Sequence, residues 1–570
     1  MCGITFLYSE STSVDGLRAR TGAAMSAMFH RGPDDGDMWA DKCCALGHRR
    51  LAIVDLIDSR QPMCDPSGRY VLAYNGEVYN YQALRHELEA AWAFTTHGDT
   101  EVVLAGLVSK GASFLDQMEG MWAFALWDKE EEVLFLARDR IGKKPLYYRA
   151  LGTEMACASE LPSLAKLVAS PFLEDSKSSA DYLRYGYFLP GTTAYEEIRE
   201  VMPGHSLVWR PGQAPSEKPY WTLGCNGFAG TQDQARSDLR ESLLDATRKR
   251  LVADVEVGAF LSGGVDSSLI VGMLAGELEV HPKTFSIGFE EKSFDERAYA
   301  RQIAEKYETR HFEECMATWD RGALTRLILE HIGQPFYDAS LLPTGMVSRL
   351  ASEHVKVALS GDGGDELFSG YQRYQARVIL RWYSRLPRPL QKGVETLVRA
   401  MPEPMAHHSR SLLKKAHLFL DIVARQRAET PYIAPVLYSD EEFRLLVPDL
   451  AAKGHPAPGL PEETSEDSVR RMMRADALVY LPQDVLAKVD RASMAHSIEV
   501  RAPFLDHKVI ELAFSLPRKW HRRGLSGKRM IRQTFSELLP TEIWARRKQG
   551  FGVPLHQWFR EGLADELQDL

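Results

Sequence analysis

The chain has 570 residues, of which 45% are hydrophobic, 10% aromatic and 26% charged. This composition is typical of a globular protein with large apolar cores, and it excludes a collagenous, coiled-coil or mostly disordered chain. The formal net charge of −9 predicts no overall basic surface for nucleic acid or an anionic membrane.

The cysteines and the apolar stretches bear on location. The seven cysteines include no CxxC pair, which disfavours a disulfide framework and a structural zinc site. The first residues lack the basic region and long apolar run of a signal peptide. The most apolar stretch, residues 257–276, contains Asp266 and several glycines, so it is not predicted to span a membrane. We expect a soluble, cytoplasmic protein.

The first 200 residues alternate short apolar runs with turn residues. Runs at 70–74, 121–127 and 133–137 predict strands of a sheet-rich unit. Residues 48–55 predict the end of a further apolar strand, with two arginines near its start. Asn75-Gly-Glu77 follows the first run and predicts a tight turn.

Cys2 is a candidate nucleophile. Removal of Met1 leaves a thiol and a free α-amine on one residue, and an α-amine with a pKa near ~8 can serve as general base for that thiol. A cysteine at position 2 is weak support when taken alone, because it can arise by chance.

Polar residues downstream strengthen this interpretation. Asn75 and Gly76 offer a side-chain amide and a backbone N–H to an oxyanion. Arg50 offers a guanidinium to a carboxylate, and Glu77 and Asp99 offer carboxylates to an amine. Together they fit a zwitterionic amino acid whose side-chain carbonyl is attacked, although each alone is more often a turn or surface residue.

A loop-rich segment at 203–231 separates this unit from a different pattern. We predict domains at 1–205 and 233–570, joined by a linker at 206–232. Thr231-x-x-Gln234 then predicts the start of a helix. Downstream, predicted strands alternate with predicted helices, which favours a doubly wound parallel sheet; the strands are 255–261, 283–289 and 354–359, and the helices are 239–251, 269–274 and 295–307.

Two glycine-rich turns follow predicted strands of this second domain. Residues 261–268, LSGGVDSS, let the backbone approach an anion at a helix N-terminus, and they lack the lysine of a Walker loop. Asp266 in this turn would repel bare phosphate and accept Mg²⁺ bridging it. The second turn, 359–366, brings Asp362, Asp365 and Glu366 to the end of the third strand, where nucleotides bind in such sheets.

Seven stretches of the first 200 residues carry a family resemblance: MCGI at 1–4, HRGPDD at 30–35, RLAIVD at 50–55, YNGEVYN at 74–80, GDTE at 98–101, GMWAFALWD at 120–128 and RDRIGKKPLYY at 138–148. They resemble the glutaminase domain of the N-terminal-nucleophile (Ntn) amidotransferases, in the branch that includes glutamine-hydrolysing asparagine synthetases. The resemblance implies an αββα sandwich in which Cys2 attacks glutamine and Asn75 and Gly76 stabilise the oxyanion. It implies glutamine contacts for Arg50, Leu51, Ala52, Ile53, Val54, Asn75, Gly76, Glu77 and Asp99.

The second domain carries an independent resemblance. SGGVDSS at 262–268 resembles the pyrophosphate loop of ATP pyrophosphatases, and SGDGGDELFSGY at 360–371 and AKVDRASMAHSIEVRAPFLD at 487–506 resemble asparagine synthetases. The resemblance implies Mg²⁺ at Asp266 and Asp365, a role of Asp362 around acyl-adenylate formation or amine attack, and charge neutralisation at the α-phosphate by Lys548. It implies ATP contacts for Leu261, Ser262, Gly263, Gly264, Asp266, Ser267, Ile287, Ser360 and Gly361.

The sequence therefore predicts a two-domain α/β ligase with added C-terminal helices. Ammonia from glutamine would pass through an internal channel to a second site, where MgATP activates a carboxylate as an acyl-adenylate. Aspartate is the favoured acceptor, giving asparagine, AMP, pyrophosphate and glutamate. The alternatives are another acceptor, such as a sugar uronic acid or a peptide carboxylate, and a glutaminase or acyl hydrolase with an inert second domain. A non-catalytic regulatory binding protein is disfavoured by the intact Cys2 and SGGVDSS.

Asp362 departs from the family pattern, because many members carry glutamate there, and this leaves the acceptor open. The expected partners are small molecules, without nucleic acid or membrane, and a homodimer is left open.

Overall fold

The computed structural model describes residues 2–224, 227–316, 320–402, 411–426, 437–438, 440–451, 453, 468–546, 552–555 and 558. Two of the residues discussed above, Met1 and Lys548, lie outside the described residues.

The N-terminal unit is built on two six-stranded antiparallel sheets. Its strands are β1 (Gly3–Tyr8), β2 (Asp35–Ala40), β3 (Cys44–Arg50), β4 (Met63–Cys64), β5 (Tyr70–Val78), β6 (Gly120–Asp128), β7 (Val133–Arg138), β8 (Tyr147–Leu151), β9 (Glu154–Ala158), β10 (Ile198–Glu200), β11 (His205–Trp209) and β12 (Ser216–Pro219). The first sheet has the order β10-β8-β9-β1-β3-β2, and the second has the order β12-β11-β7-β6-β5-β4.

The two sheets pack face to face and are covered by helices on their outer sides. Inward side chains such as Ile4 and Phe6 of β1 share a buried cluster with Val71 and Ala73 of β5. The helices are α1 (Val14–Ala27), α2 (Tyr81–Leu88), α3 (Asp99–Lys110), α4 (Leu161–Leu167) and α5 (Ser176–Tyr185). Because α1 and α4 cover the first sheet and α2 and α3 the second, the unit is the expected αββα sandwich.

Two local predictions near the expected site are wrong. Asn75 and Gly76 do not form a turn, because β5 continues through them and pairs with β6 as far as Val78. Gly76 lies opposite Trp122, and a Cβ at this position would lie 2.2 Å from the carbonyl oxygen of Met121, so the glycine serves close strand pairing. Residues 51–55 are not in a strand either; β3 ends at Arg50.

The second sheet continues past residue 205. Strands β11 and β12 belong to it, because β11 pairs with β7 and β12 pairs with β11. The sheet therefore extends to Pro219, and the domain bounds 1–205 and 233–570 stay a prediction.

The C-terminal unit is built on a five-stranded parallel sheet. Its strands are β13 (Val257–Phe260), β14 (Lys283–Phe289), β15 (Arg310–Met316), β16 (Val357–Leu359) and β17 (Glu499–Arg501), in the order β15-β14-β13-β16-β17. The predicted strand 283–289 is confirmed with the same bounds. Sequence patterns missed β15 and β17; β17 has only three residues and follows β16 after a long helical insertion.

Helices flank both faces of this sheet, as expected for a doubly wound fold. Leu269 shares a buried cluster with Ala259 and Leu359 on one face, and Leu342 shares another with Phe285 and Ile287 on the opposite face. The helices are α6 (Gln232–Lys249), α7 (Val265–Gly276), α8 (Arg297–Lys306), α9 (Arg321–Arg326), α10 (Leu341–Ser352), α11 (Gly364–Leu367), α12 (Gln372–Tyr383), α13 (Arg388–Arg399), α14 (Leu412–Gln426), α15 (Asp440–Leu446), α16 (Pro448–Ala451), α17 (Ser468–Ala475), α18 (Ala487–Met494), α19 (His507–Ser515), α20 (Arg518–His521), α21 (Arg529–Thr534) and α22 (Thr541–Ala545).

The N-termini of α6 and α8 show whether the predicted helix caps form. The Thr231 side chain accepts a hydrogen bond from the backbone N–H of Gln234, which confirms the predicted cap of α6. The predicted helix 295–307 begins at Arg297 and not at Asp295, whose carboxylate accepts from the Arg297 backbone and guanidinium. Across the described residues, no helix combines the length and the apolar character that crossing a membrane requires.

The two units share a buried interface. Arg31 is fully buried, and its Nη1 lies 2.7 Å from Glu160 of its own unit and 2.9 Å from Asp490 of the other. Leu51 and Ile53 pack with Val357 and Met494 of the C-terminal unit. This packing explains why residues 51–54 are apolar without forming a strand.

Candidate active sites

A small cavity of about 30 Å³ lies at the interface, where β3 and β5 approach the N-terminus of α3; we call it the cysteine pocket. Seven of the predicted glutamine residues line it together with Cys2: Arg50, Leu51, Ile53, Val54, Gly76, Glu77 and Asp99. Ala52 does not line the pocket, and its backbone N–H donates instead to Asp34 at 2.8 Å. The sequence-predicted residues therefore lie together, with this one exception and Asn75, which lies directly behind the pocket wall.

Cys2 sits immediately before β1 and is held by its neighbours. Its backbone N–H donates to Asn75 Oδ1 at 2.9 Å. Burial raises the pKa of its thiol, and a hydrogen bond from the Leu51 backbone and the charge of Arg50 partly offset this rise. Because the thiol is protonated at neutral pH, nucleophilic attack from it requires a nearby base.

Asn75 carries a hydrogen-bond donor that the described residues leave unused. Its side chain is fully buried, and Nδ2 has no partner among the described residues, whereas Oδ1 is fixed by Cys2. An unpaired buried donor is costly, so such a group usually serves a ligand. This donor belongs to a side chain that already contacts the Cys2 backbone through Oδ1.

Glu77 and Asp99 place two buried carboxylates side by side. Asp99 accepts from the Tyr74 hydroxyl at 2.8 Å and from the Val78 N–H at 2.9 Å. Burial raises the pKa of Asp99 to about 6, and burial together with the charge of Asp99 raises the pKa of Glu77 well above its usual value. Glu77 Oε1 has no hydrogen-bond partner within the described chain. A substrate ammonium would relieve both the missing hydrogen bond and the repulsion.

Arg50 lines the pocket, but its guanidinium donates hydrogen bonds to backbone carbonyl oxygens of the chain itself. It donates to the carbonyl oxygens of Val54, Asp55 and Leu56, at 3.2 Å in the case of Leu56. The predicted contact with a substrate carboxylate would exchange these carbonyls for a charged acceptor.

A second cavity, of about 800 Å³, lies at the carboxyl ends of β13, β14 and β16; we call it the large cavity. Ten of the predicted second-site residues line it: Leu261, Ser262, Gly264, Asp266, Ser267, Ile287, Ser360, Gly361, Asp362 and Asp365. Gly263 does not line it. A Cβ on Gly263 would lie 2.6 Å from the Tyr299 Cβ, and its φ of +70° favours glycine, so this residue shapes the turn.

The ammonium group of a lysine contacts both predicted metal ligands. Lys528 Nζ contacts the carboxylates of both Asp266 and Asp365, the latter at 2.5 Å. Gly364 permits the close approach of these loops, because a Cβ there would lie 2.5 Å from Asp266 Cγ. Two convergent carboxylates are the oxygen donors that Mg²⁺ prefers, so the residues fit the expected ion. Lys528 itself was missed, since a lone lysine in Ser-Gly-Lys carries no sequence signal.

Further charged residues line the large cavity: Glu366, which the sequence placed at the end of the third strand, and Lys488 and Arg546, which it did not predict. Lys488 Nζ lies 2.6 Å from Asp338 and 2.8 Å from the Ser340 hydroxyl. Burial, then the charge of Asp365, raises the pKa of Glu366 to about 7. Arg546 donates to the Gly263 carbonyl at 2.9 Å. Lys488 stands within the motif at 487–506, but that motif alone does not show which of its side chains face the cavity.

Asp362 is held at the mouth of this cavity, where its Oδ2 accepts from the Ser360 hydroxyl at 2.7 Å. One chain thus joins a cysteine pocket to a glycine-loop cavity on a parallel sheet. The glutamine amidotransferase domain model matches residues 1–221, and the asparagine synthase model matches residues 238–570. With these matches, the two sites define a carbon–nitrogen ligase that takes its nitrogen from glutamine. The chain belongs to the asparagine synthase family.

Curated relatives span nearly the whole chain. The chain is 34% identical to a putative glutamine-hydrolysing asparagine synthetase of Mycobacterium bovis, over 99% of this chain and 89% of that protein. It is 31% identical to asparagine synthetase 1 of Bacillus subtilis, over 95% of this chain and 85% of that protein. It is also 28% identical to amidase chry2 of Gibberella zeae, over 100% of this chain and 91% of that protein.

Proposed function

We propose that this protein makes asparagine, using glutamine as the nitrogen donor and aspartate as the acceptor. The observation that carries the proposal is the presence of two different cavities in one chain, the first with a thiol and the second with a glycine-rich loop. The names of the relatives favour aspartate as the acceptor.

The cysteine pocket supplies ammonia. With Met1 removed, the α-amine of Cys2 takes the thiol proton, and the sulfur attacks the side-chain carbonyl of glutamine. Asn75 Nδ2 and the Gly76 N–H donate to the oxyanion. Glu77 and Asp99 hold the substrate ammonium, and Arg50 its carboxylate. The tetrahedral adduct expels ammonia, which carries the proton away from the amine, and water then hydrolyses the γ-glutamyl thioester to glutamate.

The large cavity activates the acceptor. The backbone of Ser262–Ser267 and the N-terminus of α7 face the phosphates of ATP. Asp266 and Asp365 would hold Mg²⁺, which would supply charge neutralisation on the leaving pyrophosphate. The acceptor carboxylate attacks the α-phosphate and releases pyrophosphate, with Lys548 proposed to stabilise the developing charge. Ammonia, delivered by the expected channel, displaces AMP and leaves the amide.

The test is an acceptor screen that follows pyrophosphate release with ammonia supplied. Aspartate-dependent release supports the proposal, whereas release with another carboxylate moves the protein to that acceptor. Cys2→Ala should abolish glutamine-dependent synthesis and spare ammonia-dependent synthesis. Asp266→Ala should do the reverse, removing pyrophosphate release and sparing glutamine hydrolysis. Failure of ammonia to rescue Cys2→Ala contradicts the division between the two sites.

A second acceptor class is favoured by one comparison. Amidase chry2 matches the whole chain, and its name does not specify aspartate. The large cavity also extends past the glycine-rich loops to apolar residues of α12 and α14, such as Ile379 and Phe419. A carboxylate on a larger, partly apolar molecule would use this extension, and the acceptor screen includes such compounds. The cytoplasmic location and the homodimer stay predictions.

A further inference from the structure

The wall of the cysteine pocket is completed by a residue of the other unit. Glu499 lies on β17, at the edge of the parallel sheet, and lines the pocket together with Cys2, Glu77 and Asp99. Its side chain is buried, with 1% exposure. The motif around residue 499 was noted in the sequence, but nothing in it connects this glutamate with the thiol almost 500 residues earlier.

Arg501, two residues further along β17, ties this carboxylate to Glu77. Its Nε donates to Glu499 at 2.6 Å, and its Nη2 lies 3.4 Å from Glu77 Oε2. Its Nη1 donates to the carbonyl oxygens of Arg250 and Val252, at 2.9 and 2.7 Å. Because residues two apart on a strand share a face, Glu499 and Arg501 approach the pocket together. The guanidinium is fully buried, so its geometry is fixed by these contacts.

Three buried carboxylates, Glu77, Asp99 and Glu499, meet at this end of the pocket, and the Arg501 guanidinium contacts two of them. Burial opposes the ionisation of Glu499, but the charge of the chain's amino-terminal amine, and then those of Arg501 and Lys144, lower its pKa to about 2. The charge of Glu499 in turn raises the pKa of both Glu77 and Asp99. Glu499 is therefore ionised at neutral pH, and a cation entering the pocket gains from it.

We propose that Glu499 belongs to the glutamine site and attracts the substrate's α-ammonium group together with Glu77 and Asp99. Arg501 acts as a positioning residue that orients Glu77 and Glu499. This inference rests on the proposed hydrolysis of glutamine at Cys2. If Glu499 takes part, residues of both units form the end of the pocket that binds the amine. The N-terminal unit alone then holds an incomplete site.

Strand β17 also reaches the large cavity. The carbonyl oxygen of Arg501 accepts a hydrogen bond from the Ser360 N–H at 2.9 Å, and Ser360 lines that cavity. One three-residue strand thus contacts the loop of the second site through its backbone and the first site through its side chains.

The test compares two substrates that differ in the α-amine. Glutamine and glutaramate, its analogue without the amino group, are hydrolysed by the wild-type protein and by Glu499→Gln. We expect kcat/KM for glutamine to fall at least about tenfold, mainly through KM, because a charge-assisted contact is lost. For glutaramate, kcat/KM of the variant should stay within about twofold of the wild-type value, since this substrate has no ammonium for Glu499 to attract.

Glu200→Gln is the matched control. Glu200 is also buried, pairs with Arg138 at 2.9 Å and accepts from Gln483 of the other unit at 2.8 Å, but it does not line the pocket. This variant should leave the ratio of the two kcat/KM values unchanged. Arg501→Lys, which keeps the charge and loses the forked geometry, should lower the same ratio and provides a second measurement if Glu499→Gln does not fold.

Equal losses on both substrates, or no loss on either, overturn the assignment of Glu499. A wild-type protein that does not hydrolyse glutamine refutes the proposed function instead. Ammonia-dependent pyrophosphate release in each variant separates these outcomes from damage to the second site.

Discussion

Replacing Asn75 tests how the cysteine pocket stabilises charge. The fully buried amide has two distinct ends: Oδ1 accepts from the Cys2 N–H at 2.9 Å, and Nδ2 has no partner among the described residues. Asn75→Asp keeps an acceptor for Cys2 and removes the donor. Asn75→Ala removes both. If the oxyanion depends on Nδ2, both variants lose hydrolysis, although only one loses the contact with Cys2.

The magnitude follows from the number of donors. Loss of one preorganised oxyanion donor costs about 10²–10³ in kcat, or about 2.7–4 kcal/mol. Asn75→Ala should show a loss of this size. Asn75→Asp should lose at least as much, because its carboxylate also repels the oxyanion and the neighbouring carboxylates Glu77 and Asp99. An activity loss in Asn75→Ala alone would mean that the contact with Cys2, and not the donor, is what matters.

The assay measures glutamate formed from glutamine at saturating concentration. Ammonia-dependent pyrophosphate release in the same preparations should stay at the wild-type rate, since Asn75 lies away from the large cavity. A fall of less than about tenfold in both variants refutes the oxyanion role, because a single working donor is worth more than that.

Three further predictions concern charge. Asp99, with its pKa raised to about 6, binds the ammonium when ionised, so KM for glutamine should rise as pH falls below about 6; a KM independent of pH from 5 to 8 contradicts this. Lys528→Met should lower pyrophosphate release at least about 100-fold and spare glutamine hydrolysis, since Asp266 and Asp365 lose their shared cation. Arg31→Met should destabilise the protein by about 3–5 kcal/mol in urea unfolding, because Asp490 and Glu160 lose a buried partner. Arg301→Met, at a solvent-exposed ion pair, should destabilise the protein far less, because solvent screens that pair, and equal losses in both variants would show that burial does not decide the cost.

The class of each unit could be predicted from local patterns. The short apolar runs at 70–74 and 121–127 identify strands that are buried on both faces, one against the other sheet and one against the helices. The glycine-rich turn after β13 predicts an anion-binding loop because a strand, a Ser-Gly-Gly turn and a helix N-terminus follow one another directly along the chain. The tight turn expected at Asn75-Gly76 is wrong because pairing with β6 outweighs the turn preference of that dipeptide.

Local sequence patterns could not predict the contacts between segments that are far apart in the chain. Lys528 reaches Asp266 from 262 positions away, and Arg501 reaches Glu77 from 424 positions away. No periodicity or spacing encodes these pairs, since each depends on how helices and strands stack after the chain has folded back. The short strand β17 is a further case, because three residues are too few to show a pattern.

The sequence by itself determined the two chemistries, since a cysteine at position 2 and a Ser-Gly-Gly loop are local features whose reactivity needs few neighbours. Only the tertiary structure decided which charges surround them. Burial raises the pKa of Cys2, Glu77 and Asp99, and a strand from the other unit supplies Glu499 and Arg501. Electrostatic energies depend on distance and solvent exclusion, and both are properties of the packed chain.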